Sequence, residues 1–540
     1  MHCFTHMKKM SDRKMSSRLL GSLIMGLMTI NVAVATDAAR PRLVVGIVVD
    51  QLRTDYLQYL QGLFGESGFK RLMKEGLYLQ HVDFKADMND PVAPTALLYT
   101  GNHANASGIP SARLFRVGES ALTPVLEDRN SMGNFTRESL SPVNLRISTI
   151  SDEVAIDGGG LTSVYAIAPD AQQAIIMAGH AGNCALWIND TDGKWSSTAY
   201  YRDFPDFITR RNQRNPLSSR LDTLSWRPLL PLDRYPGVPA QKRHYPFGYT
   251  FPLSDRDVYR RFKVSAPVNT EVTDVAIDAL DNLRLGTRED GIDMLSVAYT
   301  AAPYKYVSDG DCRLELEDTY LRLDAQLGRL LQAIDRKVGL NNALIFLSST
   351  GYYDDATPDD PKYHIPTGDV SLKRVESLLN SYLSAKYGNA DYVSAIYGNQ
   401  IYFDPRALES RTLALDRAQT EARDFLVKMS GIADARTLGQ ILSDTSEEGM
   451  RQRCGIDPKT AGDIFLTYLP GWNVVDDIRY PTTTTPVRAG MVSTPFFLLA
   501  PDVKAETIGI PVDAAVLAPT ITSALHIRSP NGASRRPFNY

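Results

Sequence analysis

Arg42-Leu-Val-Val-Gly-Ile-Val-Val-Asp50-Gln-Leu-Arg53 is the stretch that decides the fold. Seven apolar or glycine residues run without polar alternation into a single carboxylate. A strand reads this way when helices cover both of its faces, as in a parallel sheet. Working outward, residues 69–75 have helical spacing, and Pro91-Val-Ala-Pro-Thr-Ala-Leu-Leu-Tyr-Thr-Gly101 reads as a helix stopped by glycine. Residues 291–299 form a second buried strand. A long amphipathic helix over 314–337 carries Tyr320, Leu323, Leu327, Leu330, Leu331 and Ile334 on one stripe. A third strand covers 343–348, and 496–500 begins a return to the core.

This alternation predicts an α/β class: a mostly parallel sheet sandwiched by helices. Residues 41–105, 271–360 and 490–540 are assigned to that core. Residues 106–270, irregular and rich in Pro, Arg and aromatics, and residues 361–489 are expected to be two cap insertions. Sites in such sheets gather at the carboxyl ends of strands, and Asp50, Ala301 and Thr350 stand at those ends.

Bulk properties narrow the class. The 540 residues are 43% apolar and 22% charged, with no low-complexity tract. Lys8, Lys9, Arg13, Lys14 and Arg18 precede the apolar run 19–32 and the small residues Ala33-Val-Ala35, the pattern of a signal peptide cleaved after Ala35. The run is short for a membrane anchor, so the expected product is 36–540, periplasmic or secreted, with no transmembrane segment. Cleavage removes five basic residues and one acid, which takes the formal charge from −4 to −8. That balance gives no electrostatic case for nucleic acid. Cys184, Cys312 and Cys454 would remain; they fit no disulfide framework or zinc knot and read as small buried hydrophobes.

Several segments together resemble the alkaline phosphatase superfamily, in its type I phosphodiesterase/nucleotide pyrophosphatase branch. They are Gly46-Ile-Val-Val-Asp50-Gln-Leu-Arg53, Tyr99-Thr-Gly101, Ala178-Gly-His180, Leu316-Glu-Asp-Thr-Tyr-Leu-Arg-Leu-Asp324, Tyr397-Gly-Asn-Gln-Ile-Tyr402 and 515–530. The resemblance spans nearly the whole of 36–540. It implies an alkaline-phosphatase-like domain in which two zinc ions grip a phosphate between a Ser or Thr nucleophile and the leaving group. Two adjacent dications need several Asp and His ligands.

This chain departs from that pattern position by position. The nucleophile falls on Pro91, which has no hydroxyl. Asp50 matches the first-strand ligand. The other ligand positions fall on Ala301, Lys305, Thr350, Gly351 and Ser493. The phosphate-gripping Asn falls on Ala112, and the Lys-x-Arg clamp on Asp170-Ala-Gln172. One carboxylate does not hold a pair of dications, and an ammonium at Lys305 would repel one. Lys305 or another cation is therefore expected to serve Asp50 as counter-charge.

Weaker features have plainer readings. Thr95, one turn beyond Pro91, is the remaining catalytic hydroxyl candidate, although packing in a helix start is its ordinary role. His180 reads as a satisfied structural histidine. The acidic run 354–364 reads as a solvated loop rather than a calcium site. Tyr304, Tyr306, Tyr352 and Tyr353 are expected to fill volume that metals would leave.

These residues point to a periplasmic pseudo-phosphatase with no cofactor, acting by binding an envelope protein or a small uncharged or glycan ligand. The alternative is an active phosphomonoesterase or phosphodiesterase with a rebuilt, zinc-dependent site, using Asp50 with Thr95, Ser348, Ser349 or Thr350. A purely structural envelope component is a third reading.

Overall fold

The computed structural model describes residues 40–540 except 87–89, 117–120, 308–310, 354–365, 479–483 and 488–492. The expected signal peptide and the acidic run 354–364 therefore lie outside the described residues. No described helix is long and apolar enough to cross a membrane.

Ten strands form one sheet, in the order Glu506–Asp513, Leu77–Asp83, Thr494–Leu499, Ala343–Ser349, Leu43–Asp50, Asp293–Thr300, Val164–Ala168, Cys184–Ile188, Trp195–Thr198 and Gly133–Asn134. The five strands from Ala343–Ser349 to Cys184–Ile188 are all parallel to one another. Antiparallel pairs flank them on both sides. Leu43–Asp50 sits near the centre, paired in register with Asp293–Thr300 and Ala343–Ser349. Its seven apolar and glycine positions are buried, which is why its sequence does not alternate.

One expectation needs correction. Residues 106–270 are not a cap alone, because they supply four strands of this sheet together with the core helices Ile150–Asp157 and Ala171–Ala178. The inner strands are only five residues long, and their short apolar runs were hidden among irregular polar chain. Residues 368–478 build a separate lobe, with the antiparallel sheet Val393–Tyr397, Gln400–Phe403, Ile464–Tyr468 and Ile432–Thr437. Helices Leu372–Tyr387 and Leu415–Leu426 cover that sheet over its own core of Leu379, Ile401 and Leu466. Two forked pairs tie the lobe to the main sheet. Arg146 grips Asp457 at 2.9 and 2.6 Å, and Arg451 grips Asp83 at 3.1 and 3.0 Å.

Cys184 and Cys312 are buried, Cys454 is half-buried, and all three are free thiols. Burial pushes the Cys184 thiol up to about 12, which keeps it an inert packing group.

His180 is a structural residue. Its Nδ1 meets the Asp152 carboxylate at 3.0 Å and its Nε2 meets the Leu145 carbonyl at 2.8 Å. Burial works against the charged ring, but the hydrogen bond and charge of Asp152 outweigh it and raise the pKa above 6.5. A raised histidine stabilises the fold in full below its unfolded value, and this contribution fades as pH rises through the folded value. Proton NMR should show His180 titrating above 6.5, and His180→Gln should flatten the stability profile on that alkaline side.

Gly46 lies where strand, helix and ring meet. A Cβ there would stand 2.5 Å from Phe346 Cζ and 2.6 Å from Tyr99 Oη, both fully buried and unable to retreat. Gly46→Ala should cost about 1–3 kcal/mol in chemical denaturation, the range for an overpacked core.

Candidate functional site

Three parallel strands deliver the site. The Ala301 N–H donates to the Asp50 carbonyl at 2.8 Å, directly beyond the Asp50–Thr300 register pair. On the other side, Thr350 follows strand Ala343–Ser349, and its hydroxyl donates to Asp50 Oδ1 at 2.9 Å. The Thr350 hydroxyl oxygen in turn accepts from the Gln51 N–H at 2.9 Å. Gln51 is buried and has a φ of +59°, a conformation that costs energy for a residue with a side chain. Asp50, Ala301 and Thr350 are thus brought together as their positions implied. The Thr350 hydroxyl is one donor to the Asp50 side chain.

The remaining ligand positions do not suit a pair of zinc ions. Ala301 is fully buried and offers no donor atom. Gly351 has a φ of +72°, and a Cβ there would overlap the Phe84 ring, 2.9 Å from Cε2 and closer still to Cδ2 and Cγ. Phe84, itself 3% exposed, fills the space that a ligand side chain at 351 would need. The Ser493 hydroxyl lies against His81 Nδ1 and is 3.0 Å from the Gln80 carbonyl. Among the described residues, no group of three or more His, Cys, Asp or Glu is placed to hold a metal ion. The donor set does not fit the two-zinc group, so no reaction step is drawn through it.

The phosphate side is also altered. Helix Val92–Thr100 begins after Pro91, and its N-terminus faces a carboxylate of the protein itself. Asp90 accepts from the Val92 N–H through Oδ1 and the Ala112 N–H through Oδ2, each at 2.9 Å. Desolvation pushes its carboxyl above the usual range, against the lowering effect of those N–H groups, and Asp170 nearby adds to the rise. Gln172, at the clamp position, is spent on Leu126 N–H at 3.1 Å and the Ala112 carbonyl at 2.9 Å. Asp90 and Asp170 thus stand near one another beside this helix start.

The hydroxyl candidates are committed elsewhere. Thr95 packs in the helix start, its ordinary role: it is fully buried and donates to the Pro91 carbonyl at 2.6 Å, while Gln173 donates to it at 3.2 Å. Ser349 donates to the Leu52 carbonyl at 2.7 Å and Ser348 to the Ser349 carbonyl at 3.1 Å, both deep in the sheet.

Aromatic side chains crowd the rim. Tyr304, Tyr352 and Tyr353 are buried, whereas Tyr306 is exposed. Tyr304 packs edge-on to Trp226 and Tyr249, with ring centres 5.1 and 4.7 Å away. The Arg53 guanidinium stands 3.9 Å above the Tyr353 ring. Sequence reasoning missed Phe84 and Asp90. Phe84 carries no local signal, whereas Asp90 directly before Pro91 is a helix-start pattern that could have been read as self-capping.

A family model described as type I phosphodiesterase/nucleotide pyrophosphatase matches residues 44–491. Alkaline phosphatase PafA of Elizabethkingia meningoseptica is 27% identical over 524 residues, covering 92% of this chain and 94% of its own length. Alkaline phosphatase PhoV of Synechococcus elongatus is 26% identical over 517 residues, covering 92% of each. The crystal structure of wild-type PafA superposes with a TM-score of 0.81 at 26% identity, over 92% of this chain and 98% of that one. With that match running from the first core strand almost to the last, the chain belongs to the type I phosphodiesterase/nucleotide pyrophosphatase family of the alkaline phosphatase superfamily.

Proposed function

We propose that this member of a phosphoester hydrolase family is a periplasmic pseudo-phosphatase that works by binding rather than by hydrolysis. The observation that carries this reading is Phe84 against Gly351. A ligand position that has merely lost its side chain could regain one, but this position is filled by a packed ring. The Asp90 carboxylate at the helix N-terminus supports the same reading, because it already takes the N–H groups that an anion would use. A ligand for the remaining surface is uncharged or cationic, or is a patch of an envelope protein, since Asp90 and Asp170 disfavour anions.

A rebuilt hydrolase is the second reading. It is favoured by the relatives, which are named alkaline phosphatases, and by the contact between the Ser493 hydroxyl and the His81 imidazole, a hydroxyl beside a base.

The mature chain 36–540, incubated with excess zinc and desalted, should retain less than one zinc per chain by elemental analysis. It should also leave p-nitrophenyl phosphate unhydrolysed above background. Stoichiometric zinc with turnover would overturn the binding reading in favour of the second. Gly351→His should not create a metal site. With Phe84 and a positive φ both opposed to the new side chain, it should lower stability by about 2 kcal/mol or more in denaturant titration.

A further inference from the structure

Helix Arg313–Lys337 buries three acids within four residues, and all three face the irregular segment 226–249. Their partners are very unequal. Asp318 accepts from Trp226 Nε1 at 2.7 Å, from the Leu229 N–H and the Tyr235 hydroxyl at 2.6 Å each, and from Arg322 at 2.6 Å. Glu315 holds the Lys242 ammonium with both oxygens at 2.6 Å and accepts from the Tyr249 hydroxyl at 2.7 Å. Glu317, only 2% exposed, has among the described residues one long hydrogen bond, from the Gly237 N–H at 3.4 Å.

The groups facing Glu317 do not supply a counter-charge of comparable strength. From helix Thr54–Leu60, the Tyr59 hydroxyl lies close enough to feel its charge. From its own helix it feels Arg313, which is drawn onto Asp311 at 2.6 Å. From the strap it meets the backbone of Gly237, where a Cβ would overlap Oε1, so the chain comes this close only because the residue is glycine. The strap's cation, Lys242, is bound to Glu315. A neutral acid suits this place, and an ionised one does not.

We infer that Glu317 is a proton-operated latch holding segment 226–249 shut over the rim of the site, and that ionising it releases the turn around Gly237. The strap leads directly to the site: Trp226 and Tyr249 at its two ends pack on Tyr304, three residues beyond Ala301. Desolvation pushes the Glu317 carboxyl up to about 7, with the Gly237 N–H and Arg313 opposing, so the change falls in a range that an envelope compartment can visit. The latch holds whether the site binds or hydrolyses, because its readout is motion of the strap.

The sign follows from proton linkage. The closed strap binds the Glu317 proton more tightly than the open one, so closure is favoured in full below the ordinary carboxylate value of 4.5. That preference is lost as pH rises to the folded value and is level above it. Amide hydrogen exchange of the mature chain, corrected for intrinsic rate, tests this at pH 5, 6, 7 and 8. Protection in 229–247 should fall about tenfold per pH unit between 5 and 7 and level off above. Glu317→Gln, which keeps the shape without the charge, should hold it constant. Constant protection in the unaltered chain, or the same slope in Glu317→Gln, overturns the latch. The unaltered chain also decides the matter without the variant: an equal slope in the central strand Ala343–Ser349 means global loosening and overturns it as well.

Discussion

A carboxylate at the end of a buried strand must find a partner, and this constraint organises the centre of the molecule. Strand Leu43–Asp50 is covered on both faces and flanked on both edges, so Asp50 emerges into a space bounded by the protein itself. Two dications would satisfy such a group many times over. Here a hydroxyl from Thr350 reaches it, while also taking the Gln51 N–H and thereby fixing a strained turn. One threonine side chain thus links the carboxylate to the backbone through two hydrogen bonds, the one to the charged group worth about 1.5–3 kcal/mol net.

Packing and internal hydrogen bonds also close the surroundings of these strand ends. Phe84 lies over Gly351, tyrosines close the rim, and Asp90 supplies internally the negative group that a helix start attracts. The changes are mutually consistent. Gln51 keeps a positive φ beside this turn, a conformation that costs energy for a residue with a side chain.

Much of this was legible from residues alone, because continuous apolar strands and missing ligand types leave direct marks. The run before Asp50, the helix Phe69–Glu75 and the glycine stop at Gly101 are local statements, and the structure repeats them. The strands Val164–Ala168 and Cys184–Ile188 were not legible: five apolar residues between loops carry no period long enough to distinguish them from a buried turn. Nor was Phe84, because what fills a vacated space is decided by distant packing. The unequal service of Glu315, Glu317 and Asp318 was likewise beyond reach, since it depends on the path of an irregular strap.

The central strand also sets the order of events during folding. Leu43 pairs with Asp293 and with Ala343, partners 250 and 300 residues further along the chain. Strand Ala343–Ser349 in turn waits for Thr494–Leu499. No stable centre exists until most of the polypeptide is present, and the entropy of closing such long loops must be met before the contacts that reward it form. The first strand, among the most apolar of the chain, therefore stays unpartnered until residues 293–300 and 343–349 have been made. A chain built this way folds late, with its most apolar edge the last to be covered.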